Sequence, residues 1–262
     1  MISFDLDMTL LDHKSGKITD SALKSIEQLR KKHKIIIATG RDMDNYFSVP
    51  YRDIIAPDAI VHMNGTKVTV GGHLLFEHLF DKKLLMELLT YCDRNGFAVG
   101  MTEGDDDYYI HPEVVNESDI KYWGGCGRHF MNPWEMMNKN IRTLAFIGNE
   151  KQVHLVNQAF PQLNMPLFAG RQGADIMEAG FSKADGLRHL AAYFGEAADL
   201  SATVAFGDSM NDLEVLREAG IGVAMGNAAD EVKAAADYVT AAISDDGIYQ
   251  ACVHLGLIEP FL

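Results

Sequence analysis

The sequence predicts an α/β fold, in which a doubly wound parallel sheet forms the core and a smaller α+β domain is inserted into it. Near the N-terminus, short apolar runs and amphipathic segments follow one another in β-α-β-α-β order, and this alternation returns near residue 182. Between these regions, the pattern changes to helices mixed with amphipathic strands. We therefore expect a discontinuous core of residues 1–80 and 180–262 around an inserted cap domain of residues 81–179.

The first core segment begins with a short apolar run, residues 2–6, that is typical of a buried strand. A helix follows, because Thr19 or Asp20 can cap it and apolar residues recur on one of its faces. The β-branched run at 35–38 and the apolar run at 59–61 favour strands that are buried on both faces of a parallel sheet. Right-handed crossovers between such strands give a Rossmann-like core.

The inserted segment has a different periodicity. Asp81 is a good N-cap for a helix that ends before Gly96, and the acidic stretch 104–107 is expected to be a solvated turn between two strands. The remaining elements predicted here are strands at 97–101, 108–110 and 141–147 and a helix at 150–160. The returning core is predicted to contain helices at 183–194, 212–219 and 228–236 and strands at 203–206 and 221–224.

The charge balance limits the classes of partner. The 262 residues include 23 Lys and Arg against 37 Asp and Glu, which gives a formal net charge of −14. Nucleic acid and anionic membrane surfaces need a basic footprint, so we expect neither as the main partner. A small anionic ligand held by local cations remains compatible with this charge.

Cysteine usage and hydropathy indicate the compartment. Cys92, Cys126 and Cys252 are an odd number and widely spaced, which argues against a disulfide framework or a cysteine zinc site. No apolar run approaches the roughly 20 residues of a membrane span, and the N-terminus does not resemble a signal peptide. We therefore expect a cytoplasmic protein.

Polar side chains follow the predicted core strands, at the edge where parallel-sheet proteins bind ligands. They come from different parts of the chain: Asp5, Asp7 and Thr9 after the first strand, Thr39-Gly40-Arg41 after the second, Asn64-Gly65 after the third, Lys183 at the start of the returning helix, and Asp208, Asn211 and Asp212 after the next strand. Carboxylates gathered at one edge repel one another unless a cation or a proton lies between them. Their oxygen atoms suit Mg²⁺, and Lys183 and Thr39 could bind the oxygens of a substrate phosphate.

These residues resemble the motifs of the haloacid dehalogenase-like hydrolases, and most closely those of the Cof-type sugar-phosphate phosphatases with a large α+β cap. The resemblance covers nearly the whole chain, and its pieces occur in the family's order: Asp5-Leu6-Asp7-Met8-Thr9, Thr39-Gly40-Arg41, Lys183, Gly207-Asp208-Ser209-Met210-Asn211-Asp212, and Val223-Ala224-Met225-Gly226-Asn227-Ala228. Each piece is weak by itself, and their order gives the signal its specificity. The chain departs from the family where Met8 replaces the usual Gly, which permits a tighter backbone approach.

The resemblance implies a role for each matched residue. Asp5 would be the nucleophile that forms an aspartyl-phosphate, and Asp7 would be the general acid and base, for which its pKa should be raised. Asp5, the backbone carbonyl of Asp7, and Asp208 would bind Mg²⁺, with Asn211 and Asp212 completing or orienting that set. Thr39 and Gly40 would bind phosphoryl oxygens, and Lys183 would neutralise the phosphate. Arg41 and Asn64 would contact the substrate.

Structural explanations exist for each residue taken alone. Thr39 could be a helix N-cap, Lys183 a solvated helix lysine, and Asp208 and Asp212 caps of the following helix.

In the inserted domain, Arg128 and the ranges 103–107 and 171–175 are candidates for substrate selection by a cap that closes over the core.

The sequence thus predicts Mg²⁺-dependent hydrolysis of a small phosphorylated metabolite, most simply a sugar phosphate. The alternatives are a phosphomutase and a non-catalytic sugar-phosphate-binding protein, which Met8 alone favours. We expect a monomer or a weak homo-oligomer.

Overall fold

The computed structural model describes residues 1–125, 127–168 and 170–261. Cys126, one of the three cysteines, lies outside the described residues. The chain divides into two compact units, Met1–Glu77 with Ser182–Leu262 (unit 1) and His78–Phe181 (unit 2). No helix in the described ranges combines the length and the apolar character needed to span a membrane. Cys92 and Cys252 are buried free thiols.

The strands are short, as in most α/β proteins. In chain order they are β1 (Ile2–Phe4), β2 (Leu11–Asp12), β3 (Lys17–Ile18), β4 (Ile35–Ala38), β5 (Ala59–His62), β6 (Lys67–Val70), β7 (His73–Glu77), β8 (Ala98–Glu103), β9 (Asp106–Ile110), β10 (His129–Phe130), β11 (Leu144–Ile147), β12 (Leu163–Asn164), β13 (Gly173–Glu178), β14 (Val204–Gly207), β15 (Ile221–Ala224) and β16 (Tyr238–Val239).

The helices vary more in length. They are α1 (Asp20–Leu29), α2 (Val49–Ile55), α3 (Lys82–Asn95), α4 (Pro112–Trp123), α5 (Glu150–Ala159), α6 (Lys183–Phe194), α7 (Leu213–Glu218), α8 (Asp230–Lys233) and α9 (Gly247–His254), with 3-10 turns at Met63–Gly65, Pro133–Asn138, Met210–Asp212 and Ile243–Asp245.

Unit 1 is built on an eight-stranded sheet in the order β16-β15-β14-β1-β4-β5-β6-β7. The strands from β16 to β5 pair in parallel, and β6 and β7 add antiparallel at one edge. Buried apolar side chains form clusters on both faces of this sheet, one containing α1 and α9 and the other α6 and α7. The predicted α/β fold with a parallel-sheet core is confirmed.

Unit 2 is a six-stranded mixed sheet in the order β10-β9-β8-β11-β13-β12. Helices α3 and α5 share one apolar cluster with the sheet, and α4 contributes to a separate cluster. Helix α3 begins after Asp81, whose side chain accepts from the amide of Leu84, and ends at Gly96 with φ of 69°. Both caps had been predicted from the sequence.

The acidic stretch of unit 2 is only partly a turn. Strand β9 begins at Asp106, and Asp107 is buried, where it accepts from the hydroxyl of Thr102 at 2.6 Å. Arg128 donates to Asp107 at 2.9 Å and also pairs with the buried Asp119. The prediction of a solvated turn is therefore wrong for Asp107. Arg128 neutralises two buried carboxylates, which accounts for it structurally.

Candidate active site

The carboxyl end of β1 supplies the first carboxylate of the site. Strand β1 lies between β14 and β4 in the middle of the sheet, and the Asp5 amide continues the ladder by donating to the Phe206 carbonyl at 2.9 Å. The Asp5 side chain is buried, with 5% of the residue exposed. The central strand thus presents a carboxylate in a fixed position.

Helix α6 delivers the lysine of the site. Ser182 is its N-cap and its side chain accepts from the Asp185 amide, which makes Lys183 the first helical residue. The Lys183 ammonium donates to Asp5 Oδ1 at 2.7 Å and to Asp212 Oδ1 at 2.8 Å. Lys183 is 1% exposed, so it is a buried ion-pair partner and not a solvated surface lysine.

The close seating of α6 depends on two glycines. A Cβ at Gly65 would lie 1.9 Å from the Ser182 carbonyl oxygen, and a Cβ at Gly186 would lie 2.3 Å from a methyl carbon of Val61. Both distances are far inside van der Waals contact, so neither position tolerates a side chain without movement of the helix. These glycines allow the first turn of α6 to approach the end of β5.

The turn after β14 adds two further carboxylates. Asp212 Oδ2 accepts from the amides of Asp208 and Ser209, both at 3.0 Å, and this closes the turn as a cap. The Thr9 hydroxyl donates to Asp208 Oδ1 at 3.0 Å. Asp212 is 1% exposed and uses both oxygens within the protein, so its geometry suits an orienting role.

The buried charges do not balance within this cluster. Burial raises the pKa of Asp5 well above its ordinary value; Lys183 opposes this shift, and Asp212 adds to it. Burial and the charge of Asp212 likewise raise the pKa of Asp208 to about 7. Burial alone would lower the pKa of Lys183, but Asp212 and Asp5 outweigh it and raise that pKa. Three carboxylates around one lysine leave excess negative charge.

A divalent cation fits this excess. One oxygen from each of Asp5, Asp208 and Asp212 lies within 4.8 Å of the others. Asp5 and Asp208 each use Oδ1 for a protein donor, which leaves Oδ2 of each carboxylate for a ligand. Carboxylate oxygens grouped in this way are hard donors of the kind that bind divalent cations.

Asp7 is held by the side chains of Arg41 and His13. Arg41 forms a bidentate pair with it, at 2.7 Å from Nε and 2.6 Å from Nη2, and His13 Nε2 lies 2.6 Å from Asp7 Oδ1. Burial alone would raise the pKa of Asp7, but the hydrogen bonds from His13 and Arg41 outweigh burial and lower it to about 2. The expectation that the pKa of Asp7 is raised is therefore wrong for this state, because Arg41 contacts the carboxylate directly.

His13 is a member of the site that sequence reasoning missed. It lies in the turn between β2 and β3, and the hairpin of Leu11 with Ile18 and Asp12 with Lys17 folds it back towards Asp7. Burial lowers its pKa less than the hydrogen bond to Asp7 raises it, so the net shift is upward. A histidine six residues after Asp7 gives little signal in the sequence, because only the hairpin brings the two together.

The loops after β4 and β5 interlock beside Asp7. The Thr39 hydroxyl accepts from the Arg41 amide at 3.1 Å, and the Asn64 amide donates to the Thr39 carbonyl at 3.0 Å. Asn211 Nδ2 donates to Asn64 Oδ1 at 2.9 Å, which joins the β14 turn to the β5 loop. Gly40 lies between Thr39 and Arg41 and is half-buried.

Met8 adopts a backbone conformation that favours glycine. Its φ is 58°, in the left-handed region. Its carbonyl accepts from Asn227 Nδ2 at 2.8 Å, and Asn227 Oδ1 accepts from the Ile243 amide at 2.9 Å. Asn227 therefore connects the loop after β1, which contains Met8, to the loop after β15.

Comparisons with known proteins identify similar sequences. A family model described as haloacid dehalogenase-like hydrolase matches residues 2–252. Among curated proteins, the chain is 27% identical to the 5-amino-6-(5-phospho-D-ribitylamino)uracil phosphatase YitU of Bacillus subtilis, over 95% of this chain and 94% of that protein. It is 23% identical to Phosphatase YwpJ of the same organism, over 97% and 99% of the two chains.

Solved structures give a similar result. The chain resembles the subclass IIB sugar phosphatase BT4131, with a TM-score of 0.86 and 30% identity over 98% of this chain and 99% of that one. It also resembles BT1666 of Bacteroides thetaiotaomicron, a phosphatase of the same superfamily, with a TM-score of 0.88 and 27% identity over 98% and 95%. The motifs, the parallel sheet that brings them together and the match over nearly the whole length agree, so this chain belongs to the haloacid dehalogenase-like hydrolase family.

Proposed function

We propose that this protein hydrolyses small phosphomonoesters, sugar phosphates first among them, with Mg²⁺ as cofactor and an aspartyl-phosphate on Asp5 as intermediate. The observation that carries the proposal is the buried carboxylate cluster around Lys183, in which Asp5 lies at the end of the central strand. The structural likeness to a protein named as a sugar phosphatase supports the substrate class.

Asp5 has the features of a nucleophile. Lys183 binds Oδ1 of Asp5, which leaves Oδ2 to attack phosphorus, while the same carboxylate would also contribute to binding the cation. In the first step an Asp5 oxygen forms a bond to phosphorus while the bond from phosphorus to the leaving alkoxide breaks. In the second step water attacks the same phosphorus, the bond to Asp5 breaks, and inorganic phosphate leaves.

Protons move through Asp7 in this proposal. The departing alkoxide takes a proton from Asp7, and Asp7 takes one back from the attacking water. As held by Arg41 and His13, the carboxylate is anionic and suited to the second step. The first step needs protonated Asp7, so at least one of these two donors must release it when substrate binds.

The remaining residues bind the phosphoryl group and the cofactor. Lys183, the Thr39 hydroxyl and the Gly40 amide would neutralise and orient phosphoryl oxygens. Asp5, Asp208 and the Asp7 carbonyl would hold Mg²⁺, with Asn211 and Asp212 orienting this set. When bound, the ion would offset the negative charge that accumulates on the transferring phosphoryl oxygens. Arg41 and Asn64 would contact the leaving group.

The test compares Asp5→Asn with the unchanged protein. Phosphate release from p-nitrophenyl phosphate and from a panel of sugar phosphates is measured with Mg²⁺ and with a chelator. We expect the chelator and the Asp5→Asn change each to abolish turnover, while circular dichroism shows an intact fold. Asp53→Asn, at a side chain 63% exposed in the same unit, is the matched control and should retain full activity.

The outcomes separate the alternatives. Full activity of Asp5→Asn would reject the nucleophile assignment. Conversion of one sugar phosphate isomer into another without release of phosphate would indicate a phosphomutase. Tight binding of sugar phosphates without turnover would indicate a non-catalytic binding protein.

The cytoplasmic location and the monomeric or weakly oligomeric state remain predictions from the sequence.

A further inference from the structure

Two methionines next to the candidate active site share an unusual set of properties. Met8 and Met63 both have positive φ, at 58° and 50°, which is costly for any side chain and favours glycine. Both are half-buried. Strained backbone of this kind collects at functional sites, where the surroundings hold it in place.

Core packing does not account for these side chains. Among the described residues, neither Met8 nor Met63 belongs to the apolar clusters of the core or to the half-buried residues packed against them. Met43 and Met225, by contrast, are fully buried in one such cluster. The side chains of Met8 and Met63 therefore contribute little to the core, although glycine would relieve the backbone at both positions.

Both methionines lie beside the Asp7–Arg41 pair. Met8 follows Asp7 directly, and its carbonyl is fixed by Asn227. The Met63 amide donates to the Arg41 carbonyl at 3.1 Å, so the β5 loop holds Met63 next to the β4 loop. Asp7 is the residue proposed to protonate the departing alkoxide, so both methionines belong to loops that border the proposed position of the leaving alcohol.

We propose that Met8 and Met63 line the subsite for the leaving alcohol and favour phosphomonoesters whose alcohol has an apolar or aromatic face close to the ester oxygen. The inference rests on the proposed function and narrows its substrate class. Methionine is flexible and polarizable, so it can contact the C–H face of a sugar ring or an aromatic ring. It offers little to a short open-chain polyol, which presents no continuous C–H face, because burying a hydroxyl without a partner is unfavourable.

The experiment measures binding separately from turnover. Two primary alkyl phosphates are compared: benzyl phosphate, with an apolar face, and glycerol 3-phosphate, with a hydroxyl on each remaining carbon. Their dissociation constants are measured with Mg²⁺ in the Asp5→Asn protein, which cannot form the proposed intermediate. The same background then carries Met8→Ala with Met63→Ala, or Met8→Leu with Met63→Leu. Met86→Ala, at a methionine 43% exposed on α3, is the control.

We expect the double alanine variant to lose about tenfold in affinity for benzyl phosphate relative to glycerol 3-phosphate, the low end for loss of an apolar contact in a pocket. The double leucine variant should restore the preference, because it restores apolar volume, and Met86→Ala should leave it unchanged. An unchanged preference, an equal loss for both esters, no binding of benzyl phosphate, or no rescue by leucine would overturn the proposal. Failure of the proposed function would appear separately, as absence of turnover by the protein with Asp5 intact.

Discussion

Lys183 is a buried charged residue at the centre of the candidate site. It bonds two buried carboxylates, Asp5 and Asp212, and removing one member of a buried ion pair leaves an uncompensated charge. We expect Lys183→Ala to lower the free energy of unfolding of the metal-free protein by about 3–5 kcal/mol, measured by urea denaturation. Lys34→Ala, at an exposed pair with Asp58, should cost at most about 1 kcal/mol. Equal effects of the two changes would contradict the buried-pair geometry.

The pKa of Asp208 predicts a pH dependence of stability. It is raised from the ordinary value 3.8 to about 7, so between these pH values the folded metal-free protein holds a proton that the unfolded chain has lost. Its contribution is complete below about pH 4 and is lost as the pH rises through about 7. Stability of the metal-free protein should therefore fall over this range more steeply than that of Asp208→Asn.

Urea denaturation at several pH values with a chelator measures this difference. Saturating Mg²⁺ should reduce the slope, because the cation takes the place of the proton between the carboxylates. Equal slopes for the unchanged protein and Asp208→Asn would show that burial does not shift the pKa of this group.

The sequence was informative about individual site residues where a motif places them, and uninformative where folding brings distant residues together. Asp5, Lys183 and Asp208 could be proposed from their positions after strands and at a helix start. The contact of Arg41 with Asp7, which lowers the pKa of Asp7, depends on side-chain directions that the sequence does not specify. His13 required the β2–β3 hairpin.

At the scale of elements, helix α6 connects packing to chemistry, because its first turn carries Lys183. A Cβ on Gly186 would meet the Val61 side chain at 2.3 Å. We expect Gly186→Ala to destabilise the protein by about 1–3 kcal/mol and to lower turnover as the first turn of the helix is displaced. Ala192→Ser, at an exposed position of the same helix, should change neither quantity. If Gly186→Ala had the same stability and turnover as the unchanged protein, α6 would be able to shift without cost.

Local signals predicted some elements better than others. The bounds predicted for α6 match those observed, because Ser182 caps it and Gly195 ends it. Strands β6 and β7 were not predicted, since β7 is largely exposed and lacks clear alternation. Helix α4 was also missed; it mixes charged and apolar residues with weak periodicity and begins after His111, a residue with positive φ and no capping side chain.

At the scale of the whole molecule, the net charge of −14 coexists with a site for an anionic group. Lys183 and Arg41 are already paired with carboxylates, so a bound cation would supply the additional positive charge that an anionic group needs there. The overall field should still slow the approach of a phosphate dianion. We expect moderate salt to raise kcat/KM at saturating Mg²⁺, measured across a salt series with a neutral osmolyte as control. A clear fall in kcat/KM would show that the local cations govern capture.

Trapping of the phosphorylated intermediate tests whether Asp5 carries the phosphoryl group. Asp7→Asn lacks both the acid for the first step and the base for the second, so it is mixed with Mg²⁺ and p-nitrophenyl phosphate, whose leaving group departs without a general acid. The mixture is quenched in acid, and its peptides are analysed by mass spectrometry. We expect one phosphoryl group on the peptide that contains Asp5, and none when Asp5→Asn is added to the same protein. Phosphate release by the unchanged protein with no phosphorylated Asp5 in any quenched sample would contradict the assignment of Asp5 as the nucleophile.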